Sequence, residues 1–336
     1  MTVHLISVGL SMLDAIGDPY STLGDDDLAA AVAVNKPHEM LTKDTDRAAA
    51  SAWLAGALAA PDDPGHSPAD AVWLQEVSAA VRPDKWPRTI SAEVQTFDRV
   101  EGTSFPLSEE DIAILICSDT PLGLLAGLWN ALALTGGDLT RVRYLPDSRS
   151  FPAEVRGCAV LARVLGMDAG SSDGFREAMR HLGLLARNVF QFGQLSKADE
   201  FRFYLSGGFK AAIPYLIGLA EAVRSIDGSI LRALNAQDAV PDQWPYPVKA
   251  FVLHETAETG APSIQLPLRR LVASAVRKEL ANFDARGEFR GELRWDLLYG
   301  YAYELEGDER AKKYKITAFG EGLRALFGFT PEGFQG

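Results

Sequence analysis

The chain has 336 residues, 47% of them apolar, and 33 Lys and Arg against 45 Asp and Glu give it a net charge of −12. That apolar content fills one large core or two smaller ones and excludes wholesale disorder. The acidic balance excludes a general nucleic-acid coat, while leaving room for one small anionic ligand in a locally positive pocket.

No apolar run approaches the roughly 18 residues of a membrane span. The opening "MTVHLISVGLSML" lacks the basic region and small-residue cleavage site of a signal peptide. Cys117 and Cys158 both lie in apolar stretches. Two buried thiols in a cytoplasmic protein are expected, and a disulfide framework is not.

"VHLISVGL" (3–10) is β-branched, apolar and ended by glycine, the pattern of a buried strand. A helix starting at "SMLDAI" is cut short by Gly17 and Pro19. Residues 26–60 are Ala-rich with helical spacing, "APDDPGHSP" (60–68) is a loop, and a further helix covers about 69–81. "EEDIAILICSDT" (109–120) predicts the next strand. "PLGLLAGLWNALAL" (121–134) predicts the helix after it, with proline in the first turn. "TRVRYLPDS" (140–148) predicts a strand, and "PAEVRGCAVLARVLGM" (152–167) and "DGFREAMRHLGLLARNVFQF" (173–192) read as helices. "EFRFYLSGG" (200–208) is a strand, "FKAAIPYLIGLAEAVRSI" (209–226) a helix, and "YPVKAFVLHE" (246–255) a strand again.

Strands alternating with helices predict an α/β fold: a Rossmann-like, mostly parallel sheet with helices on both faces, over residues 1–265. The pattern changes after that. "LPLRRLVASAVRKELANF" (266–283) reads as an amphipathic helix. A charged corner between two β-prone runs and a last helix, "TAFGEGLRALF", follow. Residues 266–336 are therefore expected to form a small winged-helix-like α+β domain. From 265 onward there are 12 Lys and Arg against 11 Asp and Glu, so this part is near neutral while the rest is acidic.

Ligands on such sheets bind beyond the carboxyl ends of the strands. Three of these ends carry small polar residues: "SVGLS", "CSDT" and "LSGGFK". At Ser206, Gly207, Gly208 and Lys210, the glycines let backbone N–H groups face an anion closely. The following helix start adds partial positive charge, and the lysine a mobile one. A tight strand-to-helix turn with a solvated lysine has the same spacing. Neither G-x-x-x-x-G-K-[ST] nor G-x-G-x-x-G is present. Ser7, Gly9 and Ser11 could hold a phosphate or a ribose hydroxyl, or simply cap a helix. Ser118, Asp119 and Thr120 follow the second strand, where Asp119 is expected to cap the next helix.

Arg176 and His181 have the R-x-x-x-x-H spacing of a helical ribonuclease motif, but two residues on a charged helix read as a solvated face. His254 and Glu255 end a strand without further ligands clustered around them, and the chain has only five histidines.

"HLISVGLSML", "LICSDTPLGLLAGLW", "FYLSGGFKAAIPYL" and "KAFVLHE…IQLPLR" follow one another as in the CRISPR-associated Rossmann-fold (CARF) proteins. Residues 1–268 resemble the APE-type branch of that family, and "SGGFKAAIPYL" is the most specific stretch. Relatives often carry Thr where Leu10 stands here, which leaves Ser11 as the remaining hydroxyl after Ser7. The resemblance implies a homodimer whose strand ends form one two-fold pocket for cyclic oligoadenylate.

It also implies a metal-independent ring nuclease without a cofactor, which opens the ring to a 2′,3′-cyclic phosphate and ends the type III CRISPR signal. Lys210 would contact the scissile phosphate and Ser11 would orient the 2′-hydroxyl. Gly207, Gly208 and Phe209 would offer N–H groups. Ser7, Gly9, Leu10, Ser118, Asp119, Thr120 and Ser206 would complete the pocket. No general base is evident, so turnover is expected to forgo about 10²–10⁴-fold. The alternative is a non-cleaving sensor or transcription regulator. Its DNA contacts would come from the C-terminal unit, which is poor in basic residues on its last helix.

Overall fold

The computed structural model describes residues 1–13, 47–102, 105–148, 151, 154–167, 172–208, 210–226, 247–253, 263–293, 298–307 and 312–328. Its centre is a seven-stranded sheet in the order β3-β4-β2-β1-β5-β6-β7. The strands are β1 (Thr2–Ser7), β2 (Ile112–Ser118), β3 (Val142–Leu145), β4 (Ala159–Val164), β5 (Glu200–Tyr204), β6 (Val248–Val252) and β7 (Ile264–Leu266). The first six are parallel, and β7 closes one edge antiparallel to β6.

The central strands are apolar along their length because both faces are covered. Side chains alternate between faces. Val3, Leu5, Ile114 and Phe203 enter one core with α5 (Ser172–Leu195) and α6 (Ile213–Arg224). Ile6, Leu115 and Tyr204 enter the other. That core is shared with α1 (Arg47–Leu58), α2 (Pro68–Val81), α3 (Ala92–Glu101) and α4 (Pro121–Leu134).

The segment 152–167, expected as a helix, contains strand β4 instead, between β2 and β3. Its apolar run is short and bounded by Gly157 and Gly166, both at positive φ. Val160 and Val164 are fully buried. An apolar run of this length has no periodicity that separates a buried strand from a helix, and the flanking glycines were the better guide.

The expected helix over 266–283 is confined to α7 (Ala273–Leu280), because its first residue, Leu266, ends β7 and Pro267 follows. Helix α3 was not anticipated. Ser91 caps it, accepting from Val94 N–H at 3.1 Å.

Beyond α7, strands β8 (Glu288–Arg290), β9 (Tyr303–Leu305) and β10 (Lys313–Ile316) form an antiparallel sheet in the order β8-β10-β9. Helix α8 (Ala318–Leu326) follows and lies against α5. A Cβ on Gly183 of α5 would stand 2.0 Å from the Gly322 carbonyl of α8, so the helix backbones touch. Among the described residues no helix is long and apolar enough to cross a membrane.

Candidate functional site

The chain leaves β1 toward β2 on one side and leaves β5 toward β6 on the other. The gap between the carboxyl ends of β1 and β5 is therefore the topological switch point of the sheet. The loops after these two strands carry most of the residues singled out in the sequence.

They are locked together at close range. The Ser7 hydroxyl is buried and donates to the Gly207 carbonyl at 2.6 Å. It also lies 3.1 Å from the Tyr204 carbonyl. A Cβ on Gly9 would stand 2.6 Å from the Gly208 nitrogen. Gly208 has φ 94°, a left-handed conformation in which glycine is unstrained. The Ser206 hydroxyl accepts from Leu253 N–H at 2.7 Å and lies 2.6 Å from the Thr96 hydroxyl, joining the corner to β6 and α3.

Lys210 is exposed and opens a short 3₁₀ turn, Lys210–Ala212, that runs into α6. Leu10 is exposed on the β1 loop. Phe209 lies outside the described residues, as do His254 and Glu255.

The space that the glycines open is filled by a carboxylate of the same chain. Glu93, in the first turn of α3, is 1% exposed. Its Oε1 accepts from Gly9 N–H at 2.5 Å, and its Oε2 accepts from the Ser11 hydroxyl at 3.0 Å. Ser11 Oγ in turn accepts from Ala92 N–H at 3.3 Å. The β1 loop thus directs its Gly9 N–H and its Ser11 hydroxyl at a side chain of the same chain. Sequence reasoning missed Glu93 because α3 itself was not anticipated, and nothing local marks the residue as reaching the loop after β1, 84 residues earlier.

The second strand end divides its roles differently from expectation. Thr120, not Asp119, caps α4, its hydroxyl accepting from Gly123 N–H at 3.0 Å. Ser118 Oγ lies 2.9 Å from Thr120 Oγ1. Asp119 is buried and accepts from Arg47 at 3.1 Å and from Gly166 N–H at 3.3 Å, pinning α1 and the turn after β4. This cluster neighbours the β1 loop, since β1 and β2 pair in parallel with Ser7 opposite Ile116.

Below the corner lies a buried polar network on the same sheet face. His4 Nδ1 is 3.0 Å from the Tyr204 hydroxyl, which donates to Glu101. Arg202 donates to Glu101 at 2.6 Å and to Glu200 at 2.5 Å. Burial, helped by the Glu101 charge, holds the Tyr204 phenol protonated far above its ordinary range.

The Arg176–His181 pair does not form a joint site. Arg176 donates to the Ile316 carbonyl at 2.9 Å. His181 is buried rather than on a solvated face, 2.8 Å from Ser148 Oγ and 3.1 Å from Glu177. Cys117 and Cys158 are free and buried. Burial, with the Glu93 charge added, pushes the Cys117 thiol up well beyond reactive range. Among the described residues no group of three or more His, Cys, Asp or Glu side chains is placed to hold a metal ion. The chain matches no protein-family model and no curated protein.

Proposed function

We propose that the chain binds a cyclic oligoadenylate, cyclic tetra-adenylate in the first instance, at the β1–β5 switch point of a homodimer and opens it as a ring nuclease. The observation that carries this reading is the hydrogen bond from Ser7 to Gly207, which ties the loop carrying Ser11 to the loop carrying Lys210 at the carboxyl edge of the sheet. A two-fold dimer would offer both loops twice to a ring of matching symmetry.

In this reading a ribose 2′-oxygen attacks the adjacent phosphorus in line, and the bond to the 5′-oxygen breaks. The products are a 2′,3′-cyclic phosphate and a 5′-hydroxyl. The protein's part is to hold that geometry and to stabilise charge on the phosphate oxygens. Lys210, with the N–H groups of Gly207, Gly208 and Phe209, takes the phosphate. Ser11 takes the 2′-hydroxyl. Gly9 offers no open N–H, since Glu93 accepts from it, so the phosphate contacts fall to the β5 side. The outcome for the cell is loss of a type III CRISPR messenger in the cytoplasm.

We read residues 266–336 as a winged-helix-like brace rather than a DNA reader. Helix α8 turns Phe319, Leu323, Leu326 and Arg324 inward, which favours a structural role for it.

The test is single-turnover cleavage of labelled cyclic tetra-adenylate by excess protein in EDTA, with cyclic hexa-adenylate in parallel. Linear products ending in a 2′,3′-cyclic phosphate support the reading. Tight binding with the ring intact reduces it to a sensor, and no binding of either ring overturns it.

A further inference from the structure

Glu93 has a buried carboxylate whose two oxygens accept one hydrogen bond each from the β1 loop, from Gly9 N–H and from the Ser11 hydroxyl. A buried carboxylate accepts hydrogen bonds and repels phosphate oxygens. Glu93 Oε1 lies against Gly207 as well, where an added Cβ would stand 1.9 Å from it, so the space beside Glu93 is built to receive a hydroxyl, and Lys210, further along the β5 loop, to receive the anion. Ser11 has one proton, and it is committed to Glu93. Its remaining lone pairs are free to accept, and Ala92 N–H uses only one of them, at 3.3 Å.

We infer that Glu93 is the missing proton acceptor of the ring-opening step, acting as a positioning residue through Ser11. This rests on the ring-nuclease reading. The 2′-hydroxyl passes its proton to Ser11 Oγ as Ser11 passes its own to Glu93 Oε2. The 2′-oxygen bonds to phosphorus, and the bond from phosphorus to the 5′-oxygen breaks. The departing 5′-oxygen takes a proton from water, and Glu93 returns its proton to the hydroxide that results. Atoms and charge balance without any further reactant. The relay also accounts for Gly207, whose Cβ would stand 1.9 Å from Glu93 Oε1 and displace the carboxylate from this position.

The test compares single-turnover rates of wild type, Glu93→Gln, Ser11→Ala and the double variant on cyclic tetra-adenylate, beside ring affinity and thermal unfolding. Glu93→Gln keeps the shape and can accept from Gly9 N–H but cannot take a proton. Each single variant is expected to lose about 10²-fold in rate, with ring affinity nearly unchanged. The double variant should lose no more than either single one, because both interrupt one path.

Additive losses, or a wild-type rate in Glu93→Gln, overturn the relay while leaving the ring-nuclease reading intact. Where Glu93→Gln fails to fold, the wild-type protein decides. The relay requires a solvent deuterium isotope effect on cleavage that vanishes in Ser11→Ala, and no isotope effect in wild type overturns it. If wild type neither binds nor cuts the ring, the reading fails first and the relay with it.

Discussion

Glu93 Oε1 occupies the place where a side chain on Gly207 would begin: an added Cβ would stand 1.9 Å from it. The glycine after β5 and the carboxylate on α3 are thus two halves of one fit. Gly207 is not at positive φ, so space alone excludes a larger residue there.

Gly207→Ala is therefore expected to destabilise the protein by about 1–3 kcal/mol, the usual cost of overpacking. The same substitution in a Glu93→Ala background should cost less, since the nearest obstacle is gone. Some penalty remains, because the Ser7 carbonyl stands 2.7 Å from the same point. Urea unfolding of the four proteins measures the coupling. Equal penalties in both backgrounds would show that Glu93 is not what Gly207 accommodates.

Lys210→Ala should lower the single-turnover rate on the ring by about 10²-fold, as for loss of one donor to developing charge. Affinity should fall by a much smaller factor. A wild-type cleavage rate in this variant would remove Lys210 from the chemistry.

The buried His181 makes folding sensitive to mild acid. Burial lowers its pKa below the ordinary 6.5, against the pull of nearby Glu177 and Asp147 and with the help of Arg180. The unfolded chain therefore binds the proton that the folded one refuses. This contribution is fully present above pH 6.5 and is lost as the pH falls from there toward the folded value. Stability measured by urea unfolding should drop between pH 7 and 5, and His181→Asn should show a smaller drop. Parallel pH profiles for the two proteins would count against this assignment.

Gly183→Ala should part α5 from α8, because its Cβ would meet the Gly322 carbonyl at 2.0 Å and Ala325 Cβ at 2.9 Å. Backbone cannot rotate away as a side chain can. A loss of about 1–3 kcal/mol is expected, read as a lower thermal midpoint. An unchanged midpoint would mean that α8 is not seated on α5 in solution.

The parallel sheet was legible because "VHLISVGL", "DIAILICS" and "FRFYL" are continuous apolar runs ended by small residues. Their small polar endings marked three carboxyl ends, after β1, β2 and β5, as candidate sites. Helix α4 was legible from Pro121 inside its first turn, while its cap is Thr120 rather than the expected Asp119. Strand β4 was not legible as a strand, since "AVLARV" is as apolar as a helix core and too short to show a period. What the site lacked on paper was Glu93. Its contact with Gly9 spans 84 residues, and only the packing of α3 over the sheet brings the two together. The same limit hid the buried setting of His181, whose hydrogen-bond partner Ser148 lies 33 residues away.

The seating of α8 on α5 has a consequence for how the protein is made. Met179, Leu182 and Leu185 of the mid-chain helix share a core with Phe319, Leu323 and Leu326 near the other end of the chain. During synthesis that face of α5 emerges first and waits for residues 318–326 to leave the ribosome. At ~5–20 residues per second the wait is on the order of ten seconds. Throughout it, the nascent chain carries an uncovered apolar helix face that a chaperone can recognise.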